Sequence, residues 1–253
     1  MTTPQSTLRI ALVGTGRMGK LVEQIAVERG HHIVARFDAE NPLLDAHGPE
    51  VLDGADLCID FSAPSVALDH IHRYCLWGVD AVIGTTGWYD DLDRVREWVR
   101  EGQNALLYAA NFSFGVAMLT RALRAVAPLV DTLEEFDIGI HEVHHTKKLD
   151  SPSGTAVMLA DEVLTSVERK TRMETETVHG RIDETALHVT SSRVGDVFGD
   201  HTVTIQGPSD IVTLGHRAQN RDGFARGAVR AAEWLPGKTG LFTLDNLLDD
   251  TSH

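Results

Sequence analysis

With 253 residues the chain can bury a sizeable core, either as one large domain or as two modest ones. Its 42% hydrophobic and 24% charged content is ordinary for a soluble globular protein, and its net charge of −14, from 23 basic and 37 acidic residues, excludes the broad basic face of a nucleic-acid binder. No run is long and apolar enough to span a bilayer, and the first ten residues lack the basic and apolar regions of a secretory leader, so the sequence predicts a cytoplasmic protein without membrane partners.

Residues 8–13 are a short apolar run that stops at Gly14, as a buried parallel strand would. A helical pattern then runs through Leu21, Val22, Ile25 and Val27 to Gly30, a fitting residue just past a helix end. A second strand at 33–35 leads to Phe37 and Asp38, which completes one βαβ unit. The rhythm repeats with strands at 57–61, 81–83 and 105–108 and helices at 65–77 and 91–100, which predicts a Rossmann-like, doubly wound parallel sheet. Cys58 and Cys75 fall in its apolar segments and read as reduced core residues.

After Asn111 the rhythm changes. A helix at 115–127, a strand at 136–143, a loop and a helix at 153–167 precede a polar stretch at 174–181. Three β-rich runs follow at 186–194, 201–206 and 211–216 with no helix between them, which predicts a C-terminal α+β domain with an open mixed sheet. The chain closes with a helix at 223–235 and a short tail. The expected division is a dinucleotide-binding domain of residues 1–111 and 220–253, and a substrate-binding and tetramerisation domain of residues 112–219.

Gly14-Thr15-Gly16-Arg17-Met18-Gly19 matches G-x-G-x-x-G, with a strand before it, a helix after it and an acidic residue, Asp38, about 20 positions on. Gly14 suits the tight turn, Gly16 the close approach of a pyrophosphate and Gly19 the packing of helix on strand. Asp38 can accept hydrogen bonds from adenosine ribose hydroxyls. Gly84-Thr85-Thr86-Gly87 and Ala109-Ala110-Asn111-Phe112 follow later strands, at the carboxyl ends where such sheets bind ligands, and form the expected nicotinamide wall. The carboxylate of Asp38 repels a 2′-phosphate and Arg36, two residues away, could offset it, so NADH and NADPH both stay open.

The loop His144-His145-Thr146-Lys147-Lys148 sets two imidazoles and two ammonium groups before Asp150-Ser151-Pro152-Ser153-Gly154-Thr155. Ser153 fits a helix N-cap and Gly154 leaves backbone N–H groups open, so this terminus is suited to a small anion. Residues 141–145 also satisfy H-E-x-x-H, a zinc pattern that works only on a helix. Phe136, Ile138 and Ile140 alternate with a period of two, and strand positions four apart are separated by about 13 Å, so no metal site is expected there.

Taken in order, GTGRMG, DFSAP, GTTG, NFSFG and EVHHTKKLDSPSGTA resemble the 4-hydroxy-tetrahydrodipicolinate reductases, also called dihydrodipicolinate reductases, and the similarity extends through VGDVFGDHTV and FARGAVRAAEWL. The resemblance implies reduction of a cyclic dicarboxylate, 4-hydroxy-tetrahydrodipicolinate, to tetrahydrodipicolinate with loss of water, in lysine and diaminopimelate biosynthesis. It implies NADH and/or NADPH as cofactor, no metal, and a homotetramer. Cofactor contacts are implied at Gly14 to Gly19, Asp38, Gly84, Thr85, Thr86 and Ala109, Ala110, Asn111, Phe112. It further implies that His144 and Lys148 supply protons while His145, Ser153, Gly154 and Thr155 hold the substrate; Lys147 reads as a solvated charge. Two positions depart from the family pattern: Ser151 replaces the usual alanine, and Ala39 stands where some members carry a basic residue for the 2′-phosphate. Other readings are a Rossmann reductase of a small amino or keto acid, which would not need the Ser-Gly-Thr cradle, and a non-catalytic NAD(P)H sensor, which would bind NADH without oxidising it.

Overall fold

The computed structural model describes residues 6–250; the first five of the ten residues read above for a leader, and the last three of the chain, lie outside the described part. In chain order the elements are β1 (Arg9–Val13), α1 (Arg17–Glu28), β2 (His32–Phe37), β3 (Leu57–Asp60), α2 (Pro64–Trp77), β4 (Asp80–Ile83), α3 (Leu92–Gly102), β5 (Ala105–Tyr108) and α4 (Phe114–Thr132). There follow β6 (Asp137–His144), α5 (Gly154–Ser166), β7 (Arg172–Glu174), β8 (Ala186–Arg193), β9 (Asp200–Gln206), β10 (Ile211–Arg217), α6 (Asp222–Trp234), β11 (Gly240–Thr243) and α7 (Leu244–Asp250). They fall into two compact units, one of residues up to 113 together with those from 222 on, the other of Phe114–Arg221.

The first unit holds a six-stranded parallel sheet in the order β11-β5-β4-β3-β1-β2. Successive residues Ile10, Ala11, Leu12 and Val13 are all buried, as are Leu57, Cys58 and Ile59, which is why these strands read as unbroken apolar runs: both faces are covered. The strand order reverses at β1, between β2 and β3, so the loops after these strands open a crevice. The chain returns to this unit with α6, which packs on α1; Glu233 binds Arg29 at 2.5 Å and His31 at 2.9 Å. Past α6 the chain is no plain tail. β11 extends the sheet beside β5 and leads into α7, whose start is stabilised by the Asn246 side chain accepting from Thr243 N at 2.8 Å.

The second unit holds a five-stranded mixed sheet in the order β10-β9-β6-β8-β7, in which β6 runs parallel to β8 and antiparallel to β9. Ile138, Ile140, Val189, Val203 and Ile205 form its buried face, which packs against Leu119, Leu123, Leu159 and Val163 of α4 and α5. α4 runs five residues beyond the expected stop at Ala127, through Pro128. Burial of Val130 and its carbonyl's bond from Arg169, at 2.8 Å, hold this last turn against the proline's breaking tendency. The three-residue β7 lies within a stretch whose polar composition gave no strand signal.

Candidate active site

In the first unit the predicted cofactor segments sit at the carboxyl ends of consecutive strands. Gly14 N donates to Phe37 O at 2.8 Å, Phe61 N to Val13 O at 2.8 Å, Gly84 N to Asp60 O at 2.8 Å and Ala109 N to Ile83 O at 3.2 Å. Gly14 has φ +89°, and a Cβ there would lie 2.3 Å from Phe61 O, so only glycine makes this turn. A Cβ on Gly16 would meet nothing within 4 Å, whereas one on Gly19 would strike Gly14 O. Gly16 therefore faces open space at the N-terminus of α1, the environment a pyrophosphate needs, while Gly19 seats the helix. Arg17 is exposed and Met18 half-buried.

A cavity of about 680 Å³ opens beside this turn, lined among others by Gly14, Thr15, Gly16, Asp38, Leu43 and Ser62. Asp38 is fixed in it: Oδ2 accepts from Thr15 Oγ1 at 2.6 Å, and Oδ1 from the N–H groups of Glu40 and Asn41 at 3.0 and 3.1 Å. The Thr15 bond first, then these two, hold the carboxyl below its ordinary range, so it is an anion at neutral pH. Arg36 is turned away to Glu23, 2.5 Å from its Oε1. The residues present fit an adenosine ribose and pyrophosphate.

Gly84, Thr85 and Thr86, with Ala109, Ala110, Asn111 and Phe112, lie outside that cavity's lining, after β4 and β5. Thr85 is buried, and its hydroxyl is directed to Asp60 Oδ1 and Ser62 O, each at 3.3 Å. Asp60, fully buried, also accepts from Tyr74 OH at 2.7 Å and meets His70 Nδ1 at 2.9 Å. Burial pushes its carboxyl up, but the His70 bond and charge, with Ser62 and Tyr74, together bring it below its ordinary range. This network ties the DFSAP and GTTG loops together, a role for Asp60 that the motif reading missed. Phe112 is buried with its ring 6.0 Å from that of Phe61.

In the second unit, alternation along β6 carries Glu142 and His144 onto the same buried face as Ile138 and Ile140. Neighbouring strands bring Arg193 of β8 into register with His144 and His201 of β9 into register with Glu142. Glu142, wholly buried, takes a short hydrogen bond from His144 Nδ1 through Oε2 and faces Arg193 at 2.9 Å through Oε1. Burial pushes the Glu142 carboxyl up, yet Ser191, His144 and Arg193 beside it bring it below its ordinary range. For His144 burial dominates and lowers the pKa; the Glu142 bond and charge oppose it, while Lys148 and Arg193 add to the lowering. Its ring stacks edge-on to His201 at 5.1 Å, and Gly199, where a Cβ would lie 2.9 Å from His144 Nε2, makes room for it.

The loop after β6 is tied to the 194–199 loop by His145 N to Val197 O at 2.7 Å and Thr146 N to Gly195 O at 3.1 Å. Lys147 is exposed, and Lys148 Nζ binds the Asp150 carboxylate at 2.8 and 3.0 Å. Ser153 is the N-cap of α5, its Oγ accepting from Ala156 N at 3.2 Å and meeting His201 Nε2 at 3.1 Å. Burial lowers the His201 pKa to about 4, so this ring is neutral. The Asp150 carboxyl is pushed up by burial but brought below its ordinary range by Lys148 and by nearby backbone N–H groups, that of Gly154 among them. The Asp150 carboxylate thus pairs with an ammonium group close to the start of α5, where the sequence analysis expects a small anion. A Cβ on Gly154 would meet nothing within 4 Å, Thr155 is half-buried, and His145 Nδ1 is buried without a partner among the described residues.

The H-E-x-x-H stretch lies on a strand, with His141 exposed. Glu142, His144 and His201 do bring one donor atom each within 4.8 Å of one another, but the Arg193 guanidinium stands 2.9 Å from Glu142 Oε1, and a cation there does not suit a bound metal ion.

Two family descriptions match in tandem: dihydrodipicolinate reductase, N-terminus, over residues 8–112, and dihydrodipicolinate reductase, C-terminus, over residues 115–248. The chain belongs to the dihydrodipicolinate reductase family. Its members are NAD(P)H-dependent oxidoreductases, and relatives named 4-hydroxy-tetrahydrodipicolinate reductase match most of the chain. That of Christiangramia forsetii is 38% identical over 96% of this chain and 98% of the relative, that of Natronomonas pharaonis 38% over 92% and 96%, and that of Staphylococcus aureus (strain Newman) 33% over 95% and 100%. The fold is shared with a dipicolinate-bound dihydrodipicolinate reductase from Paenisporosarcina sp. TG-14, at TM-score 0.76 and 22% identity over 94% of this chain and 98% of that one. An engineered D-amino acid dehydrogenase bound to NADP+ shares it more loosely, at TM-score 0.52 and 15% identity over 94% and 93%.

Proposed function

We propose that this protein reduces 4-hydroxy-tetrahydrodipicolinate to tetrahydrodipicolinate, with loss of water, at the expense of a reduced nicotinamide dinucleotide. The observation that supports the substrate class is the Asp150 carboxylate, which pairs with Lys148 Nζ beside the start of α5: an ammonium group next to a helix N-terminus suits a carboxylate. A dicarboxylate substrate would displace it, bonding to Gly154 and Thr155 N–H at the start of α5, with Ser153 shaping the turn and the unpartnered His145 Nδ1 reaching the ring. The dicarboxylate named with the Paenisporosarcina structure agrees with this reading.

When bound, the cofactor supplies hydride. The chain's part is to stabilise the charge that develops toward the ring nitrogen and to deliver a proton. His144 serves as the acid in its imidazolium form: Glu142 takes the Nδ1 hydrogen bond and stabilises the charged ring, so that Nε2 carries the proton to be delivered. Lys148 supplies a cation at the developing charge and a second proton source once the substrate carboxylate has taken the place of Asp150. Gly14 to Gly19 hold the pyrophosphate and Asp38 the ribose hydroxyls, with Gly84 to Thr86 and Ala109 to Phe112 beside the nicotinamide. Because Asp38 is a fixed anion and Arg36 is paired with Glu23, NADH is favoured over NADPH. The second unit assembles a homotetramer, supported by the edge strand β10, where Ile211 and Val212 are 65% and 45% exposed; light scattering tests this. The deciding experiment is a coupled assay with enzymatically generated 4-hydroxy-tetrahydrodipicolinate and NADH. Oxidation of NADH that depends on this substrate is the expected result; NADH binding without oxidation overturns the assignment in favour of a sensor.

A further inference from the structure

Arg193 ends β8 in parallel register with His144, and its guanidinium touches two acceptors that lead to different groups. One nitrogen lies 2.9 Å from Oε1 of the wholly buried Glu142. The other donates to the Asp150 carbonyl at 2.7 Å. Glu142 holds His144 Nδ1 with its second oxygen, and the Asp150 side chain holds Lys148 Nζ at 2.8 and 3.0 Å. The Arg193 side chain is only 21% exposed and also donates to Ser192 O at 2.8 Å, so the fork has one orientation. A planar guanidinium can span two fixed acceptors set at an angle, whereas an ammonium on a flexible stem meets them one at a time.

We propose that Arg193 is a positioning residue that holds His144 and Lys148 in one frame, through Glu142 on one side and the Asp150 backbone on the other. The inference rests on the proton-supplying roles proposed above for those two residues. Neither group is fixed by its own backbone alone: His144 lies at the end of a strand, and Lys148 reaches the site on a long side chain from a turn. A displacement of about 1 Å at either would cost on the order of 100-fold in rate. The groups facing His144 are Glu142 from its own strand, Arg193 from β8, Lys148 from the following loop and His201 from β9; His201 in turn faces His216 of β10 and Asp200. Arg193 therefore has an electrostatic signature as well as a geometric one, since a cation beside the pair makes His144 easier to deprotonate.

The test compares Arg193→Lys and Arg193→Gln with Lys148→Ala and His144→Gln in the same steady-state assay over a range of pH. Arg193→Lys keeps a cation beside buried Glu142 and should fold, yet lose about 10- to 100-fold in kcat with the KM for NADH unchanged. Arg193→Gln should lose at least as much, and the limb of the kcat/KM profile that reports His144 should move to higher pH. Glu142→Gln, which removes the opposing charge, should move that limb to lower pH. Wild-type kcat in Arg193→Lys overturns the proposal, and so does a loss in folded Arg193→Gln with an unmoved limb, which would mark Arg193 as merely structural. If Arg193→Gln does not fold, Arg193→Lys decides alone. Retained turnover in Lys148→Ala and His144→Gln would instead remove the proton-supplying roles themselves.

Discussion

Lys148 Nζ is bonded to the Asp150 carboxylate, and both sit on a loop tied down by backbone bonds to the 194–199 segment. If this ammonium stabilises charge only as hydride arrives, its removal costs rate rather than cofactor binding. Lys148→Ala is expected to lower kcat by about two to four orders of magnitude, with the dissociation constant for NADH near normal. Purified variant with near wild-type turnover would sink the role. Asp38 offers a separate test. Its carboxylate is pinned by Thr15, Glu40 and Asn41, and Arg36 is committed to Glu23. Asp38→Ala should thus weaken NADH more than NADPH, because it removes both a ribose acceptor and a charge that repels a 2′-phosphate. Fluorescence titration with the two cofactors measures the ratio; equal weakening, or none, would place the ribose elsewhere. Residues of this kind were legible in the sequence because each stands in a motif whose chemistry demands it. Glu142, Arg193 and His201 were not, although Glu142 lies two positions before His144 on a period-two strand and so shares its face. Arg193 and His201 reach the site only through the pairing of β8 and β9 with β6, which no local pattern fixes.

At the scale of elements, the start of α5 concentrates the substrate argument. Ser153 caps it, an arrangement worth about 1 kcal/mol, and the space beside Gly154 is open. If a substrate carboxylate lies there, 2,6-pyridinedicarboxylate should inhibit competitively against the substrate. Gly154→Val should abolish that inhibition together with turnover, and leave NADH binding intact because the dinucleotide residues belong to the other unit. Calorimetric titration with the dicarboxylate checks this; unchanged binding to the variant would move the substrate site. The helix itself was readable from its Ser-Gly start and apolar period. So were the parallel strands, whose apolar runs are bounded by glycine turns. β11 and α7 were not read, because four half-buried residues carry little periodicity; the Thr243 to Asn246 spacing, which closes a cap, was the available signal. The end of α4 was misjudged for a different reason. Proline marks a break locally, and the burial of Val130 that overrides it is a tertiary fact.

For the whole molecule, the balance of charge and buried titratable groups sets its response to acid. A net charge of −14 and a pI near 5.3 mean that self-repulsion relaxes as pH falls toward 5, which favours the folded state. Three imidazoles act the other way. His201, His144 and His216 all have lowered pKa values, chiefly through burial, so the unfolded chain binds more protons than the folded one below the ordinary histidine range. Their contribution is complete above pH 6.5 and is lost as pH falls through the folded-state values. For His201 the change from 6.5 to about 4 corresponds to about 3 kcal/mol across that window. The ionised carboxyls of Glu142, Asp60 and Asp150 act lower still, since their stabilisation persists until pH drops below ordinary carboxylate values. Because repulsion and imidazole burial oppose each other between pH 6.5 and 4, the wild-type melting temperature alone does not separate them. The difference between wild type and His201→Gln does, as the substitution keeps an amide able to reach Ser153 and leaves the net charge at neutral pH unaltered. His201→Gln should melt below wild type at pH 7.5 and lose that deficit, or reverse it, by pH 4.5, as the wild type pays for protonating a buried ring. A deficit that stays constant from pH 7.5 to 4.5 would show that His201 titrates alike in the folded and unfolded chains.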